Sequence, residues 1–272
     1  MLNSSAHHIP LLVKGDLEVS LTVPGPGLFQ AVGRGGRIRL VCGREEIGDD
    51  CHDTGVIFAR KDRFPQPLVE VKHWKGKKFG ISQKAGLNEY LLDSMLEWGG
   101  LASDEVERLY LARTEAFAAL EKGSLDAVVG ASGDTVRFRG MGPNFIRDAV
   151  AHRMAPHFQY SQLIFAGKLL DELDSGSGFV AAYMRGVKDC LEGFVPKFLK
   201  DYATSNKMDP ATLAPNCLIA STPDGSVHVE DVAKLIAWSR KRGYIESAVE
   251  ASQVVDTRFL DAARKRGGKG RT

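Results

Sequence analysis

Leu120-Glu121-Lys122-Gly123-Ser124-Leu125-Asp126-Ala127-Val128-Val129 repeats the pattern of an earlier stretch, Leu12-Val13-Lys14-Gly15-Asp16-Leu17-Glu18-Val19-Ser20-Leu21. Each stretch reads as the end of a helix. A lysine sits in the last turn, where its charge complements the helix dipole, and a glycine sits at the C-cap. A short strand follows, with an acid at its second position and the look of a strand buried on both faces. Two matching helix–strand units imply two similar α/β lobes, with function in the cleft between them.

Outward from the first copy, His8–Lys14 reads as a short helix and Leu17–Leu21 as a strand. A Pro/Gly turn, 22–27, leads into a helix over Leu28–Arg34, closed by Gly35-Gly36. Strands follow at Arg37–Cys42 and Gly55–Arg60, and Phe64-Pro65-Gln66-Pro67 is a good place for the chain to change lobes. The second lobe opens with a turn and strand from Trp74 to Ser82. Leu87, Leu91, Leu92, Met95 and Leu96 then share one face of a helix ended by Gly99-Gly100. Val106–Leu111 is a strand, and Thr114 is placed to N-cap the helix Glu115–Lys122. Strands alternating with helices predict a mostly parallel sheet with right-handed crossovers. Phe158–Phe165 reads as a return strand, and the remainder as helices folding back on the first lobe.

The repeat also exposes a deficit. Gly76 and Lys122 lie 46 residues apart and enclose strand, helix and strand, whereas 13 residues precede Lys14. By this alignment the first lobe lacks a β-α-β unit of roughly 30 residues or more, including its opening strand. Met1 then reads as an internal start or a fragment boundary, and the missing piece as a place for a signal peptide. The expected domains are lobe 1 at 1–62 and 163–260, lobe 2 at 63–162, and a basic disordered tail at 261–272. The tail's Arg264–Arg271 holds five cations and three glycines in eight residues.

A chain of 272 residues, 43% hydrophobic and 26% charged, suffices for one large or two small domains, and a net charge of +2 favours no charged partner. No apolar run approaches the roughly 18 residues of a membrane span. The N-terminal residues lack the basic and apolar regions of a signal peptide, which assigns the chain as written to the cytoplasm. Four cysteines (Cys42, Cys51, Cys190, Cys217) show no Cys-x-x-Cys. Adjacent Cys51-His52-Asp53 cannot all face one ion, so no metal is expected, and no cofactor.

The run Gly76–Ile81, the Leu87–Gly99 helix and Thr114–Ala127 together resemble the substrate-binding proteins of ABC importers. The nearest branch is the nitrate/sulfonate/taurine type, which includes the thiamine-pyrimidine-precursor (NMT1/THI5-like) proteins. Leu12–Val41, with Pro24-Gly25-Pro26-Gly27-Leu28-Phe29, and Ala181–Val187 are similar to the same family. The resemblance implies a two-lobed type II periplasmic-binding-protein fold, closing on its ligand by hinge bending. It implies a non-enzymatic, monomeric solute-binding protein in the periplasm or at the cell surface. Such a protein captures a sulfonate, nitrate, pyrimidine precursor or aromatic acid and hands it to membrane permease subunits, with no nucleic-acid partner. The alternatives are a cytosolic enzyme on the same scaffold (pyrimidine-synthase-like, desulfinase-like or decarboxylase-like) or an inactive truncated fragment.

In open α/β sheets, ligands sit beyond the carboxyl ends of strands, where helix N-termini present free N–H groups. Three loops qualify. One holds Thr22, Val23 and Pro24, although its prolines read first as turn and helix-start residues. Another holds Ser82, Gln83, Lys84, Ala85 and Gly86. The third holds Ser132. Their hydroxyls suit an oxyanion, and Lys84 suits either charge neutralisation or plain solvation. Tyr160, beside Gln159 at the return hinge, is read equally as a stacking platform or as packing. His7 and His8 read as surface residues, and Glu45-Glu46 and Asp49-Asp50 as solvated loop acids. No catalytic constellation emerges. Cys42, at a strand end, is the one positional candidate for enzyme chemistry.

Overall fold

Eight strands make up two sheets in the computed structural model, which describes residues 5–48, 54–64, 67–131, 134, 138, 140–205 and 222–268. The strands are β1 (Val19–Thr22), β2 (Ile38–Glu46), β3 (Thr54–Arg60), β4 (Lys78–Ile81), β5 (Glu107–Tyr110), β6 (Ala127–Ala131), β7 (Phe145–Asp148) and β8 (Gln159–Ala166). One sheet has the order β1-β8-β2, and the other β5-β4-β6-β3-β7. The chain divides accordingly into unit 1, Met1–Glu46 with Phe158–Thr272, and unit 2, Ile47–His157. In each sheet a single strand, β8 or β3, runs antiparallel to both its neighbours, and the others share one direction.

The repeated tetrapeptide does what its residues imply. Helix α1 (Ser5–Lys14) ends at Gly15, whose φ of 79° a residue with a Cβ adopts only under strain. The N–H groups of Asp16 and Leu17 both donate to the carbonyl of Leu11. The second copy ends a helix in the same way: Gly123 has φ 78°, and Ser124 and Leu125 donate to the carbonyl of Ala119. Between the two copies lie α2 (Pro26–Gly33), α3 (Leu87–Trp98) and that second helix, α4 (Arg113–Glu121). After them come α5 (Val150–Met154), α6 (Leu173–Leu191), α7 (Lys197–Ser205), α8 (Val229–Lys241), α9 (Ala251–Val254) and α10 (Arg258–Gly268).

The unit 1 core packs Val41, Cys42, Leu163 and Phe165 of the sheet against Val180 of α6 and Phe259, Leu260 and Ala263 of α10. In unit 2, Val56, Phe58 and Val128 meet Ala116, Phe117 and Leu120 of α4, with Phe58 and Phe117 edge to face at 5.3 Å. Each such buried large side chain contributes about 1.5–3 kcal/mol against exposure.

Three expectations need correction. The units meet in sequence at 46/47 and 157/158, not at 62/63 and 162/163. The reason is hydrogen bonding: β3 pairs with β6 and β7, and β8 pairs along its length with β1 and β2. Thr114 is not an N-cap. Helix α4 starts at Arg113 after Ala112, whose N–H donates to the Glu115 carboxylate at 3.2 Å. The basic segment from 261 is no free tail as far as Gly268. Phe259, Leu260 and Ala263 bury one face of α10, Arg264 bonds Asp224 and Ser226, and Arg266 bonds Asp174 at 2.6 Å. Residues 269–272 lie outside the described residues.

Asp256 anchors the start of α10. Its N–H donates to Leu40, and its carboxylate accepts the N–H of Arg258 at 3.1 Å and an Arg258 guanidinium N–H at 2.7 Å. Burial pushes this carboxyl up, but the Arg258 hydrogen bonds outweigh it and hold it below the ordinary range. A depressed carboxyl contributes stability above its unfolded-state pKa and loses it as pH falls through the folded-state value. Asp256→Asn should therefore flatten the acid limb of the stability–pH curve, measured by urea unfolding between pH 7 and 2. Phe259→Ala should cost about 3–5 kcal/mol in the same assay.

Candidate ligand-binding loops

The loop between β4 and α3 is held from beneath by one buried carboxylate. Glu89, fully buried in the first turn of α3, accepts the N–H of Ala85 at 2.6 Å on Oε2 and the Tyr110 hydroxyl at 2.7 Å on Oε1. Ala85 is thereby kept in the left-handed region at φ 57°, a conformation that alanine rarely adopts unaided. Gly86 is extended and N-caps the helix, and its carbonyl accepts from Glu89 and Tyr90. Asn88 donates to the carbonyl of Val129 at 3.1 Å, which ties this loop to the end of β6. Ser82 and Lys84 stay exposed, and Gln83 and Gly86 are half-buried. The result is a braced turn that leaves the side chains of Ser82 and Lys84 exposed ahead of the first turn of α3.

The end of β6 carries a second fixed carboxylate. Asp134, 5% exposed, accepts the N–H of Ala131 at 3.0 Å and bonds Arg113 at 3.1 Å. Ser132 lies outside the described residues, as do Cys51-His52-Asp53 and Asp49-Asp50.

In unit 1, Thr22 ends β1 opposite Gln162, and Tyr160 lies near the start of β8, so antiparallel pairing brings both to one end of the sheet. Thr22 and Pro24 are buried and Val23 and Tyr160 half-buried, which gives this loop a more structural cast than the loop after β4. Gly25 N-caps α2, with Pro26 in its first turn. Gln159 is a buried hub. Its side chain donates to Thr222 Oγ1 at 2.6 Å and to the Ser226 carbonyl at 2.8 Å, its Oε1 accepts the N–H of His228, and its own N–H donates to Asp231. His8 is also structural, with Nδ1 2.8 Å from Ser20 Oγ.

The enzymatic candidate does not survive its surroundings. Cys42 is fully buried in β2, free of any disulfide, and its sulfur lies 3.5 Å from Met184 Sδ. Burial pushes its thiol up to about 12, which leaves roughly one part in ten thousand as thiolate at pH 8. Glu45, read from sequence as a solvated loop acid, belongs to β2. It is half-buried, its carboxyl raised by burial, and it pairs with Arg44 at 2.8 Å. Among the described residues no group of three or more His, Cys, Asp or Glu is placed to hold a metal ion, and no helix is long and apolar enough to cross a membrane.

The family model described as NMT1/THI5 like matches residues 52–193, just over half of the chain. The chain belongs to the NMT1/THI5-like family. Solved structures with the same fold include the zinc-bound ligand-binding component of an ABC-type import system from Staphylococcus aureus. It is 16% identical, with 96% of this chain and 86% of that one covered, at a TM-score of 0.69. The periplasmic aliphatic sulphonate binding protein SsuA from Escherichia coli is 15% identical over 94% of this chain and 80% of its own, also at 0.69. SsuA from Xanthomonas axonopodis pv. citri, bound to MOPS, is 15% identical over 93% and 85%, at 0.66. At such identities the likeness establishes the periplasmic-binding-protein fold. No curated protein matches the sequence.

Sequence reasoning missed Glu89, and it placed Asp134 in the loop after β6 without reading its bracing role. The signal for Glu89 is an acid three residues after a helix-capping position, hidden because the cap is Gly86 rather than Ser or Thr. Glu89→Ala should destabilise unit 2 by about 1–3 kcal/mol by leaving the Ala85 amide and Tyr110 hydroxyl without their acceptor. Amide exchange should quicken at Ala85 and Gly86 well before it does in β6, a pattern that exchange mass spectrometry resolves.

Proposed function

We propose that this protein is a solute-binding protein that captures a small polar or anionic organic molecule and delivers it to the permease of an ABC importer. The observation that carries this reading is the loop 82–86, locked by Glu89 at the start of a twelve-residue helix in a member of this family. Preorganised amides and hydroxyls bind an oxyanion without paying for loop ordering. Ser82, Gln83 and Gly86 supply the polar frame around Ala85, whose N–H is held by Glu89, and Lys84 supplies the charge. In unit 1, Thr22, Val23, Pro24 and Tyr160 are the candidate contacts. Sulfonates, nitrate, pyrimidine precursors and aromatic acids are the classes this set suits. The reading places the working protein, a monomer, in the periplasm or at the cell surface.

The test is a thermal melt with representatives of each class, followed by recovery of the compound that shifts the midpoint. At a concentration of 100 Kd a ligand of the folded form adds about 2.7 kcal/mol, several degrees for a chain of this size. Lys84→Ala should weaken binding of an anionic ligand about tenfold while leaving the unliganded midpoint in place, because Lys84 is solvent-exposed. Recovery of a chemically altered compound would favour an enzyme instead.

A further inference from the structure

The start of α6 is clamped to α10. Gly176 gives the Phe259 ring room, since a Cβ there would lie 2.5 Å from it, and Arg266 bonds Asp174 at 2.6 Å. From Ala181 to the end of α6 the packing opens. Ala181 of α6 and Ala263 of α10 are short side chains, and a cavity of about 570 Å³ lies against them. Met184, Leu191, Pro223 and Leu260 complete its apolar wall. That volume falls within the roughly 300–1,000 Å³ of small-molecule sites, which are mostly apolar with a few placed polar groups. Every described lining residue belongs to unit 1, and none belongs to the loops at 22–24 and 82–86.

The wall that carries Pro223 and Asp224 is fixed to β2. The Gly43 N–H donates to the Gly225 carbonyl at 2.7 Å, and the Thr222 N–H donates to the Arg44 carbonyl at 3.0 Å. Gly225, at φ 71°, stands where a Cβ would lie 2.6 Å from Met184 Sδ and 2.8 Å from Cys42 Sγ. Met184 is thereby seated between this wall and the sheet, and its unbranched thioether adapts to an irregular apolar partner. Charge around the cavity is uneven. Arg264 bonds the Asp224 carboxylate at 3.0 Å, and Lys188 pairs with Glu192 one turn on at 3.5 Å. Arg185, exposed on the same helix, makes no ion pair among the described residues.

We propose that this cavity is a second ligand site, one that takes an amphipathic monoanion. The hydrocarbon body lies against the walls from α6 and α10, and a single carboxylate or sulfonate meets Arg185. A wholly polar solute finds few partners among Ala181, Met184, Leu191, Leu260 and Ala263. A neutral hydrocarbon leaves the Arg185 guanidinium unanswered. A cation meets three cationic residues, Arg185, Lys188 and Arg264, against two acids, Glu192 and Asp224. Burial of the body supplies most of the affinity, and the charged hydrogen bond to Arg185 fixes its direction. The site stands apart from the loops proposed to hold the transported solute and does not depend on what they bind.

Methionine-methyl NMR tests this on the 272-residue protein, with sodium decanoate as the probe, decanol as its uncharged counterpart and acetate as the head group alone. Decanoate should shift the Met184 methyl signal saturably and leave that of Met95, fully buried in unit 2, in place. Acetate should move neither, and decanol should bind about tenfold more weakly than decanoate. Arg185→Ala, at an exposed position, should lower decanoate binding to the level of decanol, and Arg185→Lys should keep most of it. Ala181→Phe fills the cavity and should abolish the shift, whereas Lys84→Ala should not alter it. Three results would overturn the proposal. A Met184 signal unmoved by decanoate would mean that the cavity does not take this class of ligand. Decanol binding as tightly as decanoate, or decanoate binding undiminished in Arg185→Ala, would remove the anion from the site. A shift lost in Lys84→Ala would place decanoate at the loop after β4 instead.

Discussion

Everything in the two sheets depends on an antiparallel strand laid between parallel ones. β3 and β8 each follow a crossing of the chain from one unit to the other, and each takes hydrogen bonds from both sides along its length. A strand bonded on both edges cannot be withdrawn without leaving buried N–H and C=O groups unpaired, at a cost of the order of 1–3 kcal/mol each. Register follows from the same bonds. Once the Ala166 N–H meets the Glu18 carbonyl and the Arg60 N–H meets that of Asp126, the alternation of side chains decides which residues face each core.

The loops inherit their rigidity from that frame. Ala85 could relax from its left-handed conformation if Glu89 had somewhere else to turn. But Glu89 is fully buried, and its second oxygen is held by Tyr110 at the end of β5. Asn88 adds a bond to the backbone of β6. A short turn is thus braced against strands on either side of β4, and a carboxylate serves as the brace because its two oxygens satisfy two donors from different elements. Asp134 repeats the device at the end of β6, accepting the Ala131 amide and meeting Arg113. The solvent-facing residues of the loop after β4 can then vary in chemistry without disturbing the turn beneath them.

Much of this was legible in the sequence, because local signals matched tertiary needs. The Lys-Gly-x-Leu pairs announced helix ends that close through identical hydrogen bonds, and the stripe Leu91, Leu92, Met95, Leu96 became the fully buried face of α3. The return strand was legible too, since an uninterrupted run such as Leu163-Ile164-Phe165-Ala166 suits only a strand covered on both faces. Helix α10 was hidden by composition. Its cations suggested a solvated tail, yet Phe259, Leu260 and Ala263 lie on one face just ahead of and among them, and Asp224 and Asp174 supply counter-charges about 40 and 90 residues away in sequence. Partners so distant leave no mark on a local window.

The lobe boundary was misread for a deeper reason. Thr54–Arg60 and Ile38–Cys42 are both short apolar strands, and nothing in either says which sheet will accept it. The Pro-rich loop at 64–67 looked like a crossing because prolines interrupt pairing, but interruption is not a change of unit. What assigns Thr54–Arg60 is pairing with β6 some seventy residues later, which requires α3, β5 and α4 to have been threaded first. A strand such as β3 is defined by the chain that comes after it. Sequence patterns therefore reveal that such a strand exists, and only the completed ladder shows where it belongs.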